Sequence, residues 1–247
     1  MPLSFGGLYH LAQNGMLARQ MDMDQISNNL ANIHTPGYKQ MRTNFQEMLN
    51  AENEISGTTA ACSQARPNQG DLVITNNSMD WAIAGPGYFA IKMPDGTLGY
   101  TRDGTFSLDN AGNIVNGDGY QLDWTGTIPA DADMVQVDTN GIVSARVDGV
   151  WAEAGNVQLS IFINPTGLES LGSNIWKESE ASGTATPGNP GEDGYGQIRG
   201  YTIESSNVSM TDEISHLIRT QRGFQAAARA LDKTDNMISL AIRMRQG

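Results

Sequence analysis

Residues 209–247 read SMTDEISHLIRTQRGFQAAARALDKTDNMISLAIRMRQG, a stretch with no proline and only two glycines, Gly223 and Gly247. Stepping from Met210 alternately by four and three meets Ile214, Leu217, Gln221, Phe224, Ala228, Leu231, Asp235, Ile238 and Ile242. That is an apolar seam of period 3.5, broken by polar residues at Gln221 and Asp235, and it predicts one long helix. Ser209 suits the N-cap, Asp212 and Glu213 suit the positive end of the helix dipole, and Arg243 and Arg245 suit the negative end. About 35 helical residues reach roughly 50 Å, longer than most helices inside compact domains. The seam therefore needs partner helices, from its own chain or from other copies.

The opposite end of the chain offers one. From Leu3 to Ile33 proline is again absent, and Leu8, Leu11, Gly15, Ala18, Met21 or Asp22, Ile26, Leu30 and Ile33 recur at near-helical spacing. Met16, Met21 and Met23 read as adaptable core. Pro36 disfavours helix at Thr35, and Pro36-Gly37 fits the centre of a type II turn. Beyond it, Phe45, Met48 and Leu49 suggest a short further helix, and the polar residues 51–68 read as a linker.

Between 69 and 203 the pattern changes to short apolar and aromatic runs such as Trp81-Ala82-Ile83 and Tyr88-Phe89-Ala90-Ile91. Asp95-Gly96, Asp103-Gly104, Asn116-Gly117, Asp118-Gly119, Asn140-Gly141, Asp148-Gly149 and Asp193-Gly194 punctuate them, and such pairs favour hairpin turns. Residues 180–196 read as an extended loop. The expected fold is α+β: helices in 1–50 and 204–247 paired as a coiled-coil-like domain, a linker over 51–68, and a mainly antiparallel β domain over 69–203.

The net charge of −12 is concentrated in the middle of the chain, where residues 51–200 hold nineteen acidic and six basic side chains. Such a surface repels nucleic acid and anionic lipid, and no run of apolar residues is long enough to insert in a membrane. The start of the sequence lacks the pattern of a cleaved secretory signal. Cys62 is the single cysteine, so no internal disulfide or cysteine-based zinc site is expected. His10, His34 and His216 have no metal-ligand spacing, no phosphate-binding glycine loop or GxSxG is present, and many acids lie in the β region, several of them in Asp-Gly turns where Asp serves the backbone. No cofactor, metal or catalytic residue is expected.

One segment is more specific. Ser27-Asn28-Asn29-Leu30-Ala31-Asn32-Ile33-His34-Thr35-Pro36-Gly37-Tyr38-Lys39 closely resembles the N-terminal signature of the bacterial flagellar rod and hook proteins. Gln69-Gly70-Asp71-Leu72, Asp80-Trp81-Ala82-Ile83, Gly87-Tyr88-Phe89, the run from Tyr100 to Phe106, and Gly119-Tyr120 are similar to that family's β-domain landmarks. Ser206-Asn207-Val208 and Gln221-Arg222-Gly223-Phe224 resemble its C-terminal signature. Within the family the match is strongest to distal rod subunits, through Asn164 to Leu168 and Ala181-Ser182-Gly183, with proximal rod subunits as the alternative. The resemblance implies terminal helices lining a hollow helical tube of identical copies and an outward β domain. It further implies torque transmission, a channel for exported subunits, and export by the flagellar type III apparatus without signal cleavage. Neighbouring rod and hook proteins and the surrounding ring proteins would be the other partners, in the periplasmic part of the basal body. A cell-wall hydrolase and a monomeric β binding module are the readings outside the family. The absence of a recognisable polar site weighs against the first, and two apolar seams weigh against the second.

Overall fold

In the computed structural model, which describes residues 5–49 and 55–246, helix α1 spans Phe5–Ala31 and helix α2 spans Met210–Gln246. The cap of α2 lies where the sequence puts it. The Ser209 hydroxyl accepts the Asp212 N–H at 3.4 Å, and its carbonyl accepts that of Glu213 at 3.0 Å. α1 stops short of Ile33, because the chain turns at Asn32–Thr35 and again at Thr35–Tyr38, where Gly37 takes a φ of 66°.

The short helix expected around Phe45, Met48 and Leu49 is instead strand β1 (Met41–Leu49), and much of the expected linker is strand β2 (Ile55–Ala65), its antiparallel partner. The spacing of Phe45, Met48 and Leu49 imitates a helix face, whereas β2 is built of Thr, Ser, Ala and Gly and carries almost no apolar signal. Its strand character comes from backbone pairing with β1, which composition does not report.

The chain forms two compact units. The first contains α1, the β1–β2 hairpin and α2, with the two helices against one another and the hairpin beside α1. The second contains Asn32–Gln40 and Arg66–Val208, so the turn after α1 belongs to the β unit and the hairpin to the helical one.

The β unit opens with β3 (Leu72–Ile74), β4 (Trp81–Ala84), β5 (Tyr88–Lys92), β6 (Leu98–Thr101), β7 (Ser107–Leu108), β8 (Ile114–Val115) and β9 (Gln121–Leu122). Strands β10 (Thr125–Gly126), β11 (Met134–Val137), β12 (Ile142–Val147) and β13 (Val150–Asn156) form a four-stranded sheet in the order β10-β13-β12-β11. The last strands are β14 (Leu159–Ile161), β15 (Glu169–Gly172), β16 (Ile175–Lys177), β17 (Thr186–Gly188), β18 (Gln197–Gly200) and β19 (Thr202–Glu204). A nine-stranded sheet runs β15-β16-β6-β5-β9-β8-β7, with β14 joining β5 to β17, while β18 pairs with β4 and β19 with β3. Every pairing is antiparallel.

The core of this unit joins Trp81, Ile83, Phe89, Ile91, Phe106 and Ile198 to Val143 and Val157, with Phe106 tilted against Trp81 and edge-to-face with Phe89 at centroid distances of 5.3 and 5.2 Å. Asp148-Gly149 makes the tightest of the expected hairpins, with φ of 49° and 79° between β12 and β13. Asp103-Gly104 makes none: a Cβ on Gly104 would lie 1.5 Å from the Trp81 carbonyl, so glycine is required there by close approach of backbone. Asp193-Gly194 lies between β17 and β18, which do not pair with each other.

Candidate functional site

The Thr-Pro-Gly-Tyr-Lys segment is fixed inside the β unit. Gly37 donates its N–H to the Glu204 carbonyl at 2.7 Å, and a Cβ on it would meet the Asp103 nitrogen at 2.5 Å. Two residues on, Lys39 turns inward and pairs with the Glu204 carboxylate while donating to the Asn68 carbonyl at 3.0 Å. Glu204 also accepts the Gly70 N–H at 2.9 Å and Arg102 Nη1 at 3.3 Å. Arg102 in turn donates to the Gly85 carbonyl at 2.9 Å and lies 5.1 Å from the centre of the Tyr88 ring. All three charged groups are buried. Burial pushes the Lys39 ammonium below its ordinary range against the pull of Glu204, and pushes the Tyr88 hydroxyl up.

Asn207 closes the arrangement. Its amide oxygen accepts the Gln40 N–H at 2.6 Å, and its amide nitrogen donates to the carbonyls of Arg66 at 3.2 Å and Asn68 at 2.8 Å. The Asn207 N–H reaches the Tyr38 carbonyl at 3.3 Å, Asn174 caps the Pro36 carbonyl at 2.8 Å, and Thr35 donates to the Asn32 side chain at 3.1 Å. Ser206 accepts the Val208 N–H at 3.3 Å. Residues quoted from the two ends of the sequence thus form one clasp, tying 36–40, 66–70, Arg102 and 204–207 together. Sequence reading named Gly37, Tyr38 and Asn207 but missed Glu204, whose one signal was a lone acid in an otherwise strand-like run.

In the helical unit, the face of α1 that is buried carries Ala18, Asp22, Ile26 and Asn29, and that of α2 carries Glu213, Thr220 and Thr234. Thr220 donates to Asp22 Oδ2 at 2.8 Å, and His216 Nε2 lies 3.4 Å from the same oxygen. The Asn29 amide reaches Glu213 at 3.4 Å and exchanges two bonds with the backbone of Met41, at 2.8 and 2.9 Å. Of the seam residues, Leu30, Leu217, Phe224 and Leu231 are half-buried and Gln221 is exposed, while Met210 and Ile214 are 50% and 44% exposed. Asn28, Ala31 and Arg222 are exposed, and Asn32, Ile33 and Pro36 are half-buried in the β unit. The side chains of Leu8, Leu11, Ile238 and Ile242 lie outside the described residues. The periodicity of α1 left Met21 and Asp22 as alternatives, and it is Asp22 that is buried, whereas Glu213, Thr220 and Thr234 are outside an apolar count although they fall on one heptad line.

Among the described residues no group of His, Cys, Asp and Glu is arranged to hold a metal ion, and no helix is long and apolar enough to cross a membrane.

Three family profiles match in succession: "Flagella basal body rod protein" over residues 10–39, "Flagellar hook protein FlgE/F/G D1 domain" over 82–145, and "Flagellar basal body rod FlgEFG protein C-terminal" over 199–244. The chain is 34% identical to the flagellar basal-body rod protein FlgG of Borreliella burgdorferi, covering 95% of this chain and 97% of the relative. It is 35% identical to FlgG of Bacillus subtilis, covering 94% and 97%. The flagellar hook-basal body complex protein FlhP of the same bacterium is 28% identical over 90% of this chain and 93% of the relative.

Proposed function

The chain belongs to the flagellar basal-body rod protein family, and from that premise we propose that it is a distal rod subunit whose copies assemble through their terminal helices into a hollow tube that carries torque from motor to hook. It is a structural rod subunit of the FlgG type. The observation that supports assembly through the helices is where their large apolar side chains lie. Leu17 and Met21 on α1 and Met210, Ile214, Ile218 and Met237 on α2 are exposed, while the pairs Thr220–Asp22 and Asn29–Glu213 place polar groups in the buried contact between the helices. Soluble monomers seldom leave such a row of apolar side chains open, and a coiled-coil-like seam with helices of neighbouring copies would cover it. Neighbouring rod and hook proteins, the rings around the rod and the type III export apparatus are the remaining partners in this reading. Electron microscopy of concentrated purified protein tests it: tubes or rods are expected from the native chain and none from Ile214→Asp. Tubes formed equally well by that variant would remove the helices from the assembly contact.

A further inference from the structure

One cleft of the β unit is unrelated to the clasp. It has a volume of about 480 Å³, within the range of small-molecule sites, and lies over one face of β5, β6 and β14. Leu98 and Tyr100 alternate with inward residues along β6, and Ser160 faces away from the core residue Leu159, so all three stand on the cleft side of the sheet. Tyr100 and Ser160 are only 3% and 5% exposed as residues, and among the described residues neither hydroxyl has a hydrogen-bond partner, while neither oxygen is fully enclosed. Two solvent-reaching hydroxyls on one cleft, bonded to nothing else in the chain, are available to a polar ligand that takes the place of water. Trp124 adds a half-buried ring at the wall, backed by Gly126, where a side chain would meet the ring at 2.4 Å.

We propose that this cleft binds an uncharged pyranose sugar, with the apolar face of the sugar ring on Trp124 and its hydroxyls bonded to Tyr100 and Ser160. Two carboxylates at the rim, Asp123 and Glu178, oppose an anion. They are also partly engaged: Lys92 lies 3.0 Å from Asp123, and Glu178 accepts the Ala185 N–H at 3.2 Å. The uncommitted groups are hydroxyls, which both donate and accept, and this matches a polyol better than an ammonium group, which only donates. Burial, reinforced by Glu178 and Asp123, raises the Tyr100 phenol above its ordinary range and keeps it a donor near neutral pH.

The test is titration of the full chain with N,N′-diacetylchitobiose, cellobiose and maltose, followed by calorimetry and saturation-transfer NMR, with Nα-acetyl-lysine amide as the cationic competitor. At least one disaccharide is expected to bind. Tyr100→Phe, which removes a hydroxyl bonded to nothing in the chain and so leaves the fold intact, is expected to weaken binding by about tenfold, as is Ser160→Ala. Trp124→Ala is expected to abolish it, and Trp151→Ala, on the other sheet, to leave it unchanged. Absence of binding by all three sugars overturns the proposal. So does binding that Tyr100→Phe and Ser160→Ala both leave unchanged, or occupation of the cleft by the lysine amide in preference to sugar. None of these outcomes bears on tube formation.

Discussion

Lys39, Arg102 and Glu204 set two cations against one carboxylate in the interior of the β unit, which makes the three groups unequal. Glu204→Gln leaves two buried cations uncompensated and is expected to cost about 3–5 kcal/mol, measured by denaturant unfolding. Lys39→Met leaves Arg102 and Glu204 as a matched pair and is expected to cost clearly less, so equal losses would refute this account of the clasp. A pH dependence follows. Burial lowers the folded-state pKa of Lys39, so between that value and the ordinary value the unfolded chain binds more protons, and stability rises with pH across this alkaline window. The rise should be missing from Lys39→Met. Gly37→Ala is expected to destabilise by more than about 1 kcal/mol, because a positive φ and a backbone contact at 2.5 Å both exclude a side chain there.

At the scale of elements, the contact between α1 and α2 rests on hydrogen bonds that have few alternatives in a narrow apolar face. Thr220→Val removes the Thr220 donor to Asp22 and is expected to cost about 1–3 kcal/mol, whereas Thr220→Val combined with Asp22→Leu should recover part of that loss, since the buried carboxylate is then gone and the partly exposed His216 can turn to water. Thermal unfolding of Thr220→Val, Asp22→Leu and the double variant gives the coupling, and strictly additive losses would sink the argument. The two helices were legible in the sequence because proline is absent from both and apolar residues recur at helical spacing, and because Ser209 and Pro36-Gly37 mark their ends. The β1–β2 hairpin was not, since Thr58, Thr59 and Ser63 on β2 read as loop until their pairing with Glu47, Gln46 and Thr43 is known. The clasp was half legible. Its glycine, proline and asparagine advertise turn chemistry, but nothing local distinguishes Lys39 or Glu204 from a solvated surface residue until strands distant in sequence enclose them.

At the scale of the molecule, the chain passes between its two units four times, and every segment of the β unit adjoining a crossing belongs to the clasp or to the turns beside it. The β unit has a continuous apolar core around Trp81, Phe89 and Phe106. The helical unit has Ile26 and Ala18 buried beside Asp22, Asn29, Glu213 and Thr220, and among the described residues Leu17, Met21, Met210, Ile214, Ile218 and Met237 are exposed. Helices draw most of their stability from packing, so in a dilute free subunit the helical unit should open far more often than the β unit. A nonspecific protease is then expected to degrade α1, the hairpin and α2 first and to leave 66–208. The segment 32–40 should survive with it, as a separate peptide held by Glu204, Asn207 and Asn174 without a covalent link. Native mass spectrometry of the digest separates the possibilities. A complex of the two fragments supports a clasp that holds independently of the helices, whereas a bare 66–208 body would mean that 32–40 stays in place only while the helical unit is intact, and an undigested chain would mean that one subunit satisfies its own helices.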